Sequence, residues 1–348
     1  MNNKFCKIAI TNFRGFDNLI VEDFAKVNLF VGANNVGKTS ILESLFMLSG
    51  MSNPFMPTKV NYWRSQAVAT VDGVRYLFHN LDFSKRPELR AEMKAGVRKL
   101  AFIPVMANDT DDISSSVSSS RSTIRQLNLD FGTTESEECA YHATLYTDAG
   151  GNVQQTVDSS YREDMNSLFI SADKNDGNAS SNFALLVKRN RKQTVVDALR
   201  YFDPAIDSVE ALPDGLFLKI KGVQELLPIS MAGDGIRRMI NILSSIANED
   251  YNTVFIDEID NGLHYSAHKC MWKTILRFAQ QRNVQVFATT HNLDCLQGLK
   301  NAMYENRDFQ ESVHVYNIAK TKNRGFQAYK YTYSELEEAI DNEIEIRR

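Results

Sequence analysis

The chain has 348 residues, of which 43% are hydrophobic and 24% charged, with a formal net charge of −4. This is the composition of a globular protein with a sizeable core and one to three domains. It excludes a globally basic nucleic-acid binder, so any DNA contact needs a local patch. No apolar run approaches the ~18 residues of a membrane span. Met1-Asn2-Asn3-Lys4 does not lead into a signal-peptide core. Cys6, Cys139, Cys270 and Cys295 are scattered, without a C-x-x-C pair, so reduced thiols and a cytoplasmic location with no membrane contact are expected.

The first predicted strand runs from Lys4 to Phe13, with Ile8 and Ile10 on one face. Asn12-Phe13-Arg14-Gly15-Phe16 is a turn, and Leu19-Ile20-Val21 returns as a second strand. The apolar run Val27-Asn28-Leu29-Phe30-Val31 then enters Gly32-Ala33-Asn34-Asn35-Val36-Gly37-Lys38-Thr39, and a helix follows from Ser40 to Leu48. Between 55 and 98 the pattern is mixed. One or two helices are expected within 61–78 and another from Pro87-Glu88-Leu89-Arg90, with proline in its first turn. Two polar stretches, near 108–122 and 171–182, cannot support a core and are expected to be mobile.

Between them, Leu127-Asn128-Leu129-Asp130-Phe131 and Ala143-Thr144-Leu145-Tyr146 alternate strictly, and Asp148-Ala149-Gly150-Gly151-Asn152 turns into another strand. This reads as an antiparallel β insert. A helix is expected from 183 to about 201, then β structure over 209–227. The last third alternates strands at 253–256, 284–288 and 313–316 with helices near 235–247, 266–281 and 293–304, the rhythm of a parallel sheet. Ser334-Glu335-Leu336-Glu337 reads as a capping box for a last helix.

Strand, glycine-bounded loop and helix are the context in which G-x-x-x-x-G-K-[ST] is a phosphate-binding P-loop. The glycines Gly32 and Gly37 let backbone N–H groups of Asn34, Asn35, Val36 and Ser40 approach phosphates at the positive end of a helix. Lys38 reaches the β- and γ-phosphates of a nucleoside triphosphate, and the Thr39 hydroxyl ligates Mg²⁺. The apolar strand Val254-Phe255-Ile256 ends in Asp257-Glu258. Asp257 is read as the second Mg²⁺-side group and Glu258 as a base for water. Ala288-Thr289-Thr290-His291 closes another apolar strand, which places His291 within reach of the γ-phosphate or the water. The basic cluster Lys188-Arg189-Asn190-Arg191-Lys192 can meet phosphates or form a solvated face. His264 and His268 are spaced i,i+4 but lack the glutamate of a zinc-protease helix.

More than 200 residues separate Lys38 from Asp257. With that spacing, the motifs together resemble the ABC-type ATPases of the RecF/SMC/OLD group. Ile10-Thr11-Asn12-Phe13-Arg14-Gly15-Phe16 is similar to the group's strand-turn ahead of the P-loop. Leu227-Pro228-Ile229-Ser230-Met231-Ala232-Gly233-Asp234-Gly235-Ile236-Arg237-Arg238 stands in the place of the ABC signature, though it departs from LSGGQ. Asp257 to His264 is similar to the Walker B and D-loop of OLD-type proteins, and Thr290-His291 to the switch histidine.

The resemblance implies an α/β head with a mostly parallel core sheet and an N-terminal antiparallel β portion. Residues 1–50 and 225–348 would form the head, and 51–224 an α+β insertion without a coiled coil. It implies ATP and Mg²⁺ as ligands, and a homo-oligomer built from head-to-head dimers. In these, Gly233 and Gly235 at a helix N-terminus, with Ser230 or Asp234, meet the γ-phosphate held by the other copy. Arg14 would lie near the nucleotide. Gln66 is the nearest candidate for the Q-loop. SMC arms and the TOPRIM nuclease domain of full-length OLD proteins are not visible in this sequence. Asp109 and Asp111 have a TOPRIM-like spacing but open the serine-rich loop. The expected activity is ATP hydrolysis that gates a separate effector, such as a TOPRIM-type nuclease of an anti-phage system, or DNA. The alternative is a nucleotide-dependent scaffold with little turnover.

Overall fold

The computed structural model describes residues 4–64, 70–94, 96–107, 123–134, 139–172 and 178–346. Gln66, Asp109, Asp111 and the polar stretch 108–122 lie outside the described residues, as does part of 171–182. In chain order the first half holds β1 (Phe5–Phe13), β2 (Phe16–Val21), β3 (Val27–Val31), α1 (Lys38–Leu48) and α2 (Met56–Trp63). It continues with β4 (Glu88–Met93), β5 (Gly96–Met106), β6 (Ile124–Gly132), β7 (Tyr141–Thr147) and β8 (Val153–Val157). The second half holds β9 (Ser167–Ile170), α3 (Asn178–Lys188), α4 (Lys192–Arg200), β10 (Ile206–Leu212), β11 (Gly215–Ile220) and β12 (Leu227–Pro228). Then follow α5 (Asp234–Ala247), β13 (Thr253–Ile256), α6 (His268–Arg282), β14 (Gln285–Thr289) and α7 (Leu293–Tyr304). The chain closes with α8 (Arg307–Gln310), β15 (Val313–Thr321), β16 (Gly325–Tyr331) and α9 (Tyr333–Asp341).

Two compact units divide the chain: Met1–Asp23, Glu43–Met165 and Lys320–Gln327 in the first, Phe24–Leu42, Asn166–Ala319 and Ala328–Arg348 in the second. The first is built on a seven-stranded sheet in the order β2-β1-β4-β5-β6-β7-β8, with antiparallel neighbours. Residues 88–93 are a strand between β1 and β5, not the helix expected from Pro87. Leu89 and Ala91 are buried while Glu88 is exposed, a period of two that proline at the strand entrance does not disturb. Buried Arg98 on β5 donates to the Leu48 carbonyl at 2.6 Å and pairs with Glu163 and Asp164, giving the last turn of α1 a cation.

The second unit contains the sheet β16-β15-β3-β14-β13-β9. Pairs β15/β3, β3/β14, β14/β13 and β13/β9 are parallel, with Phe30 opposite Thr289 and Ile256 opposite both Ala288 and Ile170. β9 thus joins this sheet although it falls within 51–224. The strands are buried on both faces, as parallel sheets require. Leu29, Val31, Val254, Ile256, Val286 and Ala288 enter an aliphatic core with apolar residues of α5, α6 and α7. On the other face Phe169, Phe255, Phe287 and Phe30 stack strand to strand, with centroid separations of 5.5–6.4 Å.

Two boundaries differ from the sequence reading. The helix expected over 183–201 is two helices, because Asn190 takes a left-handed conformation (φ 55°) between α3 and α4. The last capping box is made by Thr332, whose hydroxyl accepts from the third-residue backbone while Glu335 reaches back to the cap, two residues earlier than Ser334. Among the described residues no helix is long and apolar enough to cross a membrane, and none of the described helices is of coiled-coil length.

Candidate nucleotide and hydrolysis site

Parallel strands bring their carboxyl ends to one edge of the sheet, where ligands of open α/β sheets bind. β3, β13 and β14 are neighbours, so the segments that follow them meet there. After β3 the loop turns on Gly32 (φ 145°), Asn35 (φ 62°) and Gly37 (φ 99°). A Cβ at Gly32 would lie 2.5 Å from the Ile318 carbonyl, so glycine is required there for space as well as for backbone conformation. Val36 is buried against this turn, whereas Asn34 and Asn35 are exposed. Ser40 is buried in the first turn of α1.

Lys38 Nζ donates to the carbonyls of Gly32 and Ala33, both at 2.8 Å, holding the loop open around its own ammonium. Burial lowers the Lys38 pKa below that of an ordinary lysine, while Asp257 and Glu258 oppose the shift. Thr39 Oγ1 donates to the Asp257 carboxylate, 2.9 and 3.1 Å from its two oxygens, across 218 positions of sequence.

Thr289 at the end of β14 completes the arrangement. Its hydroxyl donates to Asp257 Oδ1 at 2.7 Å and accepts from the Glu258 N–H at 2.8 Å. Glu258 has φ 46°, a left-handed backbone costing about 1–3 kcal/mol in a non-glycine residue and persisting where surroundings over-determine it. Glu258 Oε1 lies 3.8 Å from His291 Nδ1, with the two side chains 44% and 51% exposed, so both remain open to substrate and water. The next threonine, Thr290, donates to Asp260 at 2.6 Å and fixes the following loop.

The structure therefore brings Lys38, Thr39, Asp257, Glu258 and His291 together. The signature segment packs against the loop that follows Asp257 and Glu258. Ser230, Gly233 and Asp234 are exposed, and Asp234 pairs with Arg237. Gly235 touches the loop after Glu258, where a Cβ would come within 2.8 Å of the Gly262 carbonyl. Arg14 is buried in the first unit, with its guanidinium 2.7 Å from Glu43 and 2.9 Å from Asn61. Burial lowers its pKa to about 10 against the pull of Glu43. Sequence reasoning missed Thr289 and Arg238. The signal for Thr289 was a pair of threonines closing an otherwise apolar strand.

The basic cluster is largely neutralised. Arg189 pairs with Asp250, Arg191 with Glu249 and Lys192 with Glu210. His264 is exposed beside Ser266 and His268 is fully buried against Gly298, so the two do not share a ligand site.

A P-loop and an acidic strand end converging on one edge of a parallel sheet define a P-loop nucleotide-binding fold, and the likenesses that follow make it an ABC-type ATPase of the RecF/SMC group. The chain belongs to the family described as "AAA domain, putative AbiEii toxin, Type IV TA system", whose model matches residues 27–294. It is 23% identical over 336 residues to an "ATP/GTP phosphatase" of Helicobacter pylori, covering 89% of this chain and 90% of that one. Over 108 residues it is 37% identical to the DNA replication and repair protein RecF of Heliobacterium modesticaldum, 29% of each chain. Its fold is similar to the SMC head crystallised with the C-winged helix domain of ScpA, with a TM-score of 0.50 and 11% identity over 97% of this chain and 99% of that one.

Proposed function

We propose that this protein hydrolyses ATP, and that ATP-dependent pairing of two copies gates a separate effector protein or DNA. The observation that carries the reading is the convergence of Lys38, Thr39, Asp257, Glu258 and His291 at neighbouring strand ends. The Thr39 hydroxyl and the Asp257 carboxylate are adjacent hard oxygen donors, a set that fits Mg²⁺ shared with phosphate oxygens and water. The bound ion would neutralise charge on the β- and γ-phosphates.

The chain's own groups account for the rest. Lys38 exchanges its loop carbonyls for phosphate oxygens, and the P-loop N–H groups surround the β-phosphate. Glu258 accepts a proton from water as the water oxygen bonds to the γ-phosphorus. The bond to the bridging oxygen breaks, and ADP leaves with that electron pair. His291 orients the γ-phosphate or the water beside Glu258. Ser230, Gly233, Asp234 and Gly235 present the start of α5 to the nucleotide of the other copy. Arg14 holds Glu43 on α1.

The OLD-like motifs support a role in anti-phage defence with a separate TOPRIM-type nuclease as the effector, while the family description names a putative toxin of a type IV toxin–antitoxin system. Phosphate release by the purified chain tests the enzymatic reading; absence of turnover with retained ATP binding would establish the scaffold alternative instead. Lys38→Ala should lose ATP binding. Glu258→Gln should keep it, lose about 100- to 10,000-fold in turnover, and elute as an ATP-loaded dimer on sizing.

A further inference from the structure

Arg238 stands one turn into α5, three residues after Gly235, and is 6% exposed. Its guanidinium does not point along the helix surface. One arm donates to the Ser171 carbonyl just past β9 at 2.6 Å; the other reaches the carbonyls of Asp257 and Glu258, the latter at 3.2 Å. Three carbonyls from two neighbouring strand ends are thus gathered by one planar fork, a geometry that a lysine ammonium on a flexible stem does not reproduce. The peptide so held is the left-handed one at Glu258, which Thr289 engages through its N–H. A second contact ties the same pieces together, because Gly235 and Gly262 approach too closely for a side chain on either.

We propose that Arg238 is the positioning residue through which the start of α5 sets the Glu258 turn, so that the helix end meant for the other copy's nucleotide and the water-activating carboxylate move as one piece. This rests on the assignment of Glu258 as base. It gives α5 a second role within its own copy: contact at Gly233–Gly235 is felt at the backbone of Asp257 and Glu258 without passing through the nucleotide bound there. Assembly then sets hydrolysis through a hydrogen-bonded lever about one helical turn long.

The test compares Arg238→Ala, Arg238→Lys and Glu258→Gln, singly and combined, for ATP affinity, phosphate release and melting temperature. Arg238→Ala and Arg238→Lys should bind ATP within about threefold of wild type, yet lose about 10- to 100-fold in kcat, the usual cost of removing a group that orients a catalytic one. Added guanidinium should restore part of the Arg238→Ala loss. Combined with Glu258→Gln, either change should add nothing, since both act on one group. A lower melting temperature with unchanged kcat, or a loss that multiplies with that of Glu258→Gln, overturns the proposal. If Arg238→Ala does not fold, Arg238→Lys carries the same comparison. Normal turnover by Glu258→Gln would instead remove the base assignment, and the two failures are distinguishable.

Discussion

The Thr289 hydroxyl uses both of its hydrogen-bonding roles, donating to Asp257 and accepting from Glu258 N–H. Thr289→Val keeps the side chain's shape and its place in β14 but releases both contacts. It should lower kcat about 10- to 100-fold while leaving ATP affinity nearly unchanged, as read by phosphate release against fluorescent-nucleotide titration. The left-handed Glu258 offers the opposite trade. Glu258→Gly removes strain of about 1–3 kcal/mol, less the extra chain entropy of glycine at about 0.5–1 kcal/mol. The variant should melt higher than wild type and hydrolyse no ATP. A lower melting temperature would show that the turn is not strained.

At the scale of elements, the later turns of α1 are held within the first unit through charge. Glu43, 1% exposed, is paired with Arg14 and Arg64 at 2.7 and 2.8 Å. Removing its charge leaves Arg14 buried without compensation, so Glu43→Gln should cost about 3–5 kcal/mol in denaturant unfolding. Closeness of α6 and α7 is equally specific. A Cβ at Gly298 would meet the His268 Cβ at 2.7 Å, and Gly298→Ala should destabilise by about 1–3 kcal/mol as the helices part. This contact could not be read from sequence, where Gly298 is an unexplained glycine inside a helical pattern. Strand β4 was misread because Pro87 fits a helix start as well as a strand entrance, and a six-residue alternation is weak against that signal.

For the whole molecule, net charge −4 and the paired basic cluster leave no strong electrostatic case for nucleic acid, and exposed pairs of this kind contribute about 0–1 kcal/mol each. The paired-copy reading has a more direct test. Met231, 75% exposed beside Gly233, and Tyr265, 64% exposed beyond Gly262, flank the surface that a second copy would cover. Met231→Glu or Tyr265→Glu in the Glu258→Gln background should weaken the ATP-dependent dimer tenfold or more, about 1.4 kcal/mol, without changing nucleotide affinity. An unaltered dimer would move the interface elsewhere.

Sequence alone determined the chemistry that is local. The phosphate loop, the acidic strand end, His291 at the close of an apolar strand and the rhythm of the last third are each written within about ten residues, because turns, buried strands and helix starts demand particular side chains in order. Tertiary structure decided which of these became neighbours. That Ser167–Ile170 closes the parallel sheet beside β13, and that Arg238 holds Asp257 and Glu258, depend on backbone carbonyls and N–H groups. Every residue carries the carbonyl and every residue but proline the N–H, so their pairing across long separations leaves no mark in the order of amino acids.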